Sequence, residues 1–283
     1  MVVQQQGRRG TVFAAAAAAM GLMSGATGCS GSGAAADSQR PADPVDAVRQ
    51  AADILVQQGS SKARTSMEMA TGGTRVTIRG EGVYDYRARL GRLKVVLPQD
   101  PAGVDKHRPI TELLAPGALY MKNRGAGVPA DKWVRVDTTT LSDGNLVTGG
   151  ATDPLAAAEL LRGAQDVTYV GESEVAGTPV RHYRGTAVLA RAAKRASDGQ
   201  RGAFKAAAKG FAKGEVPFDA YLDDQGRVRK VRHQFSFANN GDGGGKKRDV
   251  DVASTTLLYD FGVPVSVELP DAEDIFAGKI AEE

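Results

Sequence analysis

Apolar and polar residues change their spacing several times along this chain, and each change marks an element. Val45, Val48, Ala52, Leu55 and Val56 recur at helical spacing. Asp43-Pro44 supplies an N-cap and a first-turn proline, and Gly59 a stop, so a helix is predicted between them. The period then falls to two. Met67 and Met69 alternate with Ser66 and Glu68, Val76 and Ile78 with Arg75, Thr77 and Arg79, and Leu93, Val95 and Leu97 with Arg92 and Lys94, although Val96 interrupts the last run. Thr71-Gly72-Gly73, the flexible Gly80-Glu81-Gly82 and Gly91 punctuate these stretches. The pattern predicts an antiparallel meander with one apolar and one polar face.

Short strands are predicted at Leu119–Lys122 and Lys132–Val136. Asp153-Pro154 opens a second helix running through Ala164. Val167–Val175 and Val180–Val188 read as a hairpin joined by Ala176-Gly177-Thr178-Pro179. A third helical region follows from about Leu189 to Lys213. Phe218–Leu222 and Val228–Phe237 flank the turn Asp223-Asp224-Gln225-Gly226, where the two carboxylates read as turn residues. Gly241–Lys247 is expected as a mobile loop, Val250–Tyr259 as the last long strand and Val265–Leu269 as a short final one. Nine to eleven strands with two or three helices, all sequential, predict a single α+β domain built on a large antiparallel sheet.

The N-terminus has a different character. Arg8-Arg9 precedes an alanine-rich apolar run from Val12 to Met23, which is too short to span a bilayer, and small residues follow. Ala26-Thr27-Gly28-Cys29 reads as a lipobox with Ala in place of the usual first-position Leu, cut before Cys29, whose thiol becomes acylated; the alternative is an ordinary secretory signal in which Cys29 is incidental. Arg8-Arg9 with Phe13 leaves the twin-arginine and general export routes both open. Residues 1–28 are thus expected to be a signal peptide, 29–44 a Ser/Gly/Ala tether after the lipidated Cys29, and 45–283 the folded domain. The expected location is the outer face of the cytoplasmic membrane, held there by the N-terminal lipid anchor.

Charge narrows the partners. Residues 1–28 hold Arg8 and Arg9 of the 36 basic residues and none of the 33 acidic ones, so their removal lowers the net charge from +3 to +1. That balance gives no reason to expect nucleic acid as a partner. Cys29 is the only cysteine, which excludes disulfides and thiolate metal sites. His107, His182 and His233 are far apart and lack neighbouring ligands, no nucleophile elbow or P-loop occurs, and Gly80-Glu81-Gly82 lacks a third glycine. No metal, cofactor or enzymatic activity is expected. Trp133 reads as a core residue.

Between Arg181 and Lys213 nine basic residues face one acid, Asp198. Phe204, Ala207, Ala208 and Phe211 share one helical face, while Arg201, Lys205, Lys209 and Lys213 recur every fourth residue. This stripe is either a solvated outer face or a surface for anionic lipid headgroups.

The segments GEGVYDYRARLGRLKVVLP (80–98), LYMK and KWVRVD (119–122, 132–137), and DPLAAAELLRGAQDVTYVGESEVAGTPVRHYRG (153–185) resemble the LppX/LprAFG lipoproteins of actinobacteria. VPFDAYLDDQGRVRKVRHQFSF (216–237) and LLYDFGVPVSVELPDAEDI (257–275) extend the resemblance. It implies a LolA-like half-barrel: a strongly curved antiparallel sheet wrapped over helices and enclosing a hydrophobic cavity. It also implies a carrier of acylated lipid or glycolipid, with a membrane transporter or cell-envelope partner. On that reading Met67, Met69, Val76, Ile78, Leu93, Val95, Leu97, Phe218, Phe235 and Phe237 would line the cavity. The alternative is a sensor or scaffold lipoprotein of similar fold, with a packed core and a protein partner.

Overall fold

A computed structural model describes residues 43–277, apart from 72–73, 99–107, 125–126, 148–151 and 239–248. Cys29, the signal and tether before residue 43, His107 and the loop Gly241–Lys247 lie outside the described residues.

Among the described residues, eleven strands form one antiparallel sheet. They are β1 (Ser60–Thr71), β2 (Thr74–Asp85), β3 (Leu90–Val96), β4 (Ile110–Ala115), β5 (Ala118–Lys122), β6 (Trp133–Asp137), β7 (Ala164–Val175), β8 (Thr178–Val188), β9 (Glu215–Leu222), β10 (Val228–Ala238) and β11 (Asp249–Tyr259). Their order is β6-β5-β4-β3-β2-β1-β11-β10-β9-β8-β7, so two sequential meanders meet where β1 pairs with β11. β6 and β7 are the edges and do not pair with each other, which leaves the sheet open.

The three predicted helical regions are present, divided into five helices. α1 (Pro44–Arg49) and α2 (Ala51–Gln58) meet at Gln50, α3 (Pro154–Leu160) runs into a 3-10 turn at Leu161–Gly163, and α4 (Leu189–Arg195) and α5 (Asp198–Gly210) are separated by extended backbone at Ala196 and Ser197. The caps follow the sequence signals. Asp43 accepts from the Val45 amide at 2.8 Å, and Asp153 accepts from those of Leu155 and Ala156 at 2.7 and 3.1 Å. At the β9–β10 turn Asp223 accepts from the Gln225 and Arg227 amides and from Arg227 Nε at 2.7 Å, so this carboxylate is a turn residue.

Two elements differ from the sequence expectation. Ile110–Ala115 is a strand that the apolar alternation did not mark. Val265–Leu269, expected as a strand, is not one. Past Gly262 the chain instead continues to the β6 edge, where Ile275 makes an isolated parallel bridge to Trp133 and the Phe276 amide donates to the Trp133 carbonyl at 2.8 Å. Trp133 is half-buried at that edge, with Lys122 Nζ 5.3 Å from its ring centroid.

The sheet must curl around the helices. α3 is seven residues long, about 10 Å. It nevertheless touches β10 and β11 on one side and shares a small cavity with Leu114 of β4 and Ala118 of β5 on the other. Those strands are four to six steps apart, about 19–29 Å in a flat sheet at ~4.8 Å per step. Only a strongly curved sheet brings both sides to one short helix. Its inner face and α3 form a common core with Leu55, Phe204, Ala207 and Leu189. Each large side chain buried there contributes about 1.5–3 kcal/mol.

Candidate functional site

The register aligns the inner side chains in rows. Met67 of β1 stands opposite Ile78 of β2 and Ser254 of β11, and Ser254 opposite His233 of β10, which faces Phe218 of β9. The next row toward the strand ends pairs Met69 with Val76 and Val252, and Val252 with Phe235. Met67, Ile78, Leu93, Val95, Phe218 and Phe235 are buried in one apolar cluster. Phe237 of β10 pairs with Val250 of β11, but its side chain lies outside the described residues.

Burial fades in one direction. Along β1 the inner positions pass from fully buried Ala63 to half-buried Met69, and Val76, Leu97 and Val250 are half-buried beside it. The apolar inner face therefore reaches the surface along the ends of β11, β1, β2 and β3. Phe237 aside, the structure brings the proposed wall residues into or against one apolar cluster that also includes helix residues such as Leu55, Leu189 and Phe204.

Several polar groups interrupt that face. Thr65 and Thr256 are direct cross-strand partners, and neither hydroxyl has a hydrogen-bond partner. Ser254 and Thr152 share a hydrogen bond of 2.5 Å, and the Thr152 hydroxyl also reaches the Leu146 carbonyl at 2.9 Å. His233 Nε2 is unpartnered, and burial lowers the imidazole pKa to about 3, so the ring is neutral. Glu112 of β4 is completely buried with both carboxylate oxygens unpartnered, and desolvation raises it to about 8. The sequence reading missed Glu112; the available signal was a lone carboxylate inside the apolar run Ile110-Thr111-Glu112-Leu113-Leu114.

The basic stripe is divided. Arg201, Lys205 and Lys209 are exposed on α5, with Arg201 paired to Asp198 at 2.7 Å. Lys205 and Lys209 line a concavity of about 480 Å³ against Thr139, Thr140 and Ser142. α5 ends at Gly210, however, so Lys213 leaves the helix. It borders a separate concavity of about 450 Å³ with Arg75, Arg232, Glu68 and Asp251 of the outer sheet face, which Met69 and Phe235 also reach. Gly202 and Gly210 serve close packing. A Cβ at Gly210 would lie 2.0 Å from the Ser142 carbonyl oxygen, and one at Gly202 would lie 3.0 Å from Thr139 Cγ2.

The remaining titratable cluster lies on the outer face. His182 Nε2 is 2.7 Å from Asp219 Oδ1, which also accepts from Arg184 Nε at 3.0 Å, and the imidazole stacks on Tyr221 with centroids 4.3 Å apart. These contacts, opposed by partial burial, hold the Asp219 carboxyl below its ordinary pKa. Among the described residues no group of three or more His, Cys, Asp or Glu is placed to hold a metal ion, and no helix is long and apolar enough to cross a membrane.

No protein-family model and no curated protein matches the chain. Among solved structures it is similar to the Mycobacterium tuberculosis lipoprotein LppX, at 11% identity over 80% of this chain and 98% of that one, with a TM-score of 0.46. It is also similar to LprF from Mycobacterium bovis, at 13% identity over 80% and 96% with a TM-score of 0.38. A LolA-superfamily protein from Nitrosomonas europaea follows at 11% identity over 83% and 99%, with a TM-score of 0.33.

Proposed function

We propose that this protein binds an acylated lipid or glycolipid against the inner face of its sheet and transfers it at the outer face of the cytoplasmic membrane, where an acyl group on Cys29 anchors it. The observation that carries this reading is the apolar inner face, which emerges at Met69, Val76, Leu97 and Val250. Acyl chains enter there and slide between sheet and helices, gaining about 0.8 kcal/mol per buried CH₂. Binding and release need no covalent chemistry. Lys205 and Lys209 face anionic headgroups. The test is mass spectrometry of an organic extract of the purified full chain carrying Cys29→Ser, which removes the covalent acyl group from the measurement. A stoichiometric acyl lipid is expected; an extract without lipid defeats the reading.

The second reading is a scaffold or sensor lipoprotein with a protein partner. It is favoured by the depth of packing on the same face, where Met67, Leu93 and Val95 are at most 1% exposed beneath the helices.

A further inference from the structure

Glu112 is out of place in its row. Its cross-strand neighbours are Leu93 on β3 and Met121 on β5, and Met121 is followed by Val134 on β6. All three are buried, and a leucine at position 112 would continue the row. Neither carboxyl oxygen meets a donor, although buried polar groups in folded proteins are nearly always paired. Such a group opposes folding unless something else occupies its hydrogen bonds. The next inner pair on β3 and β4 is Val95–Ile110, and Leu93, Val95 and Leu97 belong to the proposed lipid wall. The orphaned carboxyl therefore lies on the same inner face, in register with residues of the proposed wall.

We propose that Glu112 is the polar anchor of this lipid site and hydrogen-bonds a neutral, hydroxyl-bearing lipid of the diacylglycerol type at the junction of its acyl chains and headgroup. The inference rests on the lipid-binding reading. The chemistry of the side chain selects the ligand. Desolvation outweighs the opposing charge of Arg124, raises the group to about 8 and keeps it the neutral acid. A neutral carboxyl offers one O–H donor and an acceptor oxygen, and an alcohol offers the same in return. The two form a reciprocal pair without burying charge. An ammonium headgroup would require the carboxylate, which an apolar row disfavours.

The experiment measures uptake of 1,2-dioleoylglycerol and of its methyl ether by the full chain carrying Cys29→Ser. The chain with Glu112 intact should prefer the free alcohol by about tenfold, the worth of one well-formed hydrogen bond. Glu112→Gln, whose amide also donates and accepts, should keep the preference. Glu112→Leu should bind both probes alike and melt at a higher temperature, because an unpaired polar group has left the core. If Glu112→Leu does not fold, Glu112→Met serves the same comparison. Uptake of both probes with no preference, or a preference that survives Glu112→Leu, overturns the anchor while leaving lipid binding intact. Uptake of neither probe defeats the lipid-binding reading and the anchor with it.

Discussion

The Tyr84 hydroxyl donates to Asp153 Oδ2 at 3.2 Å, joining the inner face of β2 to the N-cap of α3. The other oxygen of the same carboxylate accepts the Leu155 and Ala156 amides. Gly91 makes room for the ring, since a Cβ there would lie 2.5 Å from Tyr84 Cδ2. One side chain thus starts the central helix and fixes it to the sheet.

Asp153→Ala should accordingly cost more than an ordinary cap. An exposed cap is worth about 1 kcal/mol, whereas this substitution also leaves the buried Tyr84 hydroxyl without its acceptor, so about 2–4 kcal/mol is expected. Tyr84→Phe should cost about 1 kcal/mol. Urea unfolding of the two variants checks the order; a smaller loss for Asp153→Ala than for Tyr84→Phe contradicts it.

Glu112 should make the protein less stable as pH rises. Its folded pKa, about 8, lies above the unfolded value near 4.5, so the folded state holds the proton more tightly. Its contribution is most favourable below pH 4.5 and is lost between there and pH 8, a change on the order of 3–5 kcal/mol. The stability difference between the native chain and Glu112→Gln should drift by that amount across the window. A difference independent of pH would mean that the carboxyl is solvated.

His233 should act in the opposite direction. Its folded pKa of about 3 lies below the unfolded value near 6.5, so the unfolded chain takes up the proton first. Stability present above pH 6.5 should fall as pH drops toward 3, again on the order of 3–5 kcal/mol at the limit. Urea midpoints for the native chain and His233→Gln at pH 7 and pH 4 test this, and the difference should shrink or reverse at pH 4.

Ile78 and Met69 sit on the same face at different depths, so one glutamate at each separates packing from ligand binding. Ile78→Glu buries a charge beneath the helices and should lower the melting temperature sharply. Met69→Glu lies where the face reaches solvent, and it should fold while losing most of any co-purified lipid. A folded Met69→Glu chain that retains its lipid refutes entry at this edge.

Lys205 and Lys209 share one concavity, and Lys213 lies apart from them. Replacing the pair with Gln in the Cys29→Ser chain should weaken binding to phosphatidylglycerol-containing vesicles by about tenfold or more, at ~1 kcal/mol per lysine. Lys213→Gln should have a smaller effect. Both effects should fade in 1 M salt, where the screening length is about 3 Å. Equal losses from the pair and from Lys213 would favour simple bulk attraction.

The sequence by itself determined the meanders and the helix starts. Alternation at Met67–Met69 and Val76–Ile78, and the Asp-Pro pairs at 43–44 and 153–154, act through neighbours on the same strand or turn, so short-range pattern suffices to read them. The amphipathic face of α5 was legible for the same reason, with Phe204 and Ala207 buried and Lys205 exposed. Tertiary structure alone decided the rest. β4 hid from the pattern because its inner position 112 carries a carboxylate, and only the rows of β3 and β5 place that group among apolar neighbours. Lys213 left its predicted stripe because α5 ends at Gly210, where the backbone packs against Ser142. Val265–Leu269 had strand-like alternation without a strand, because an isolated segment's pattern cannot say whether a ladder partner exists. How far the apolar face is packed beneath helices, and where it opens, was likewise beyond the sequence. That depends on the curl of eleven strands around α3, a property of contacts between elements far apart in the chain.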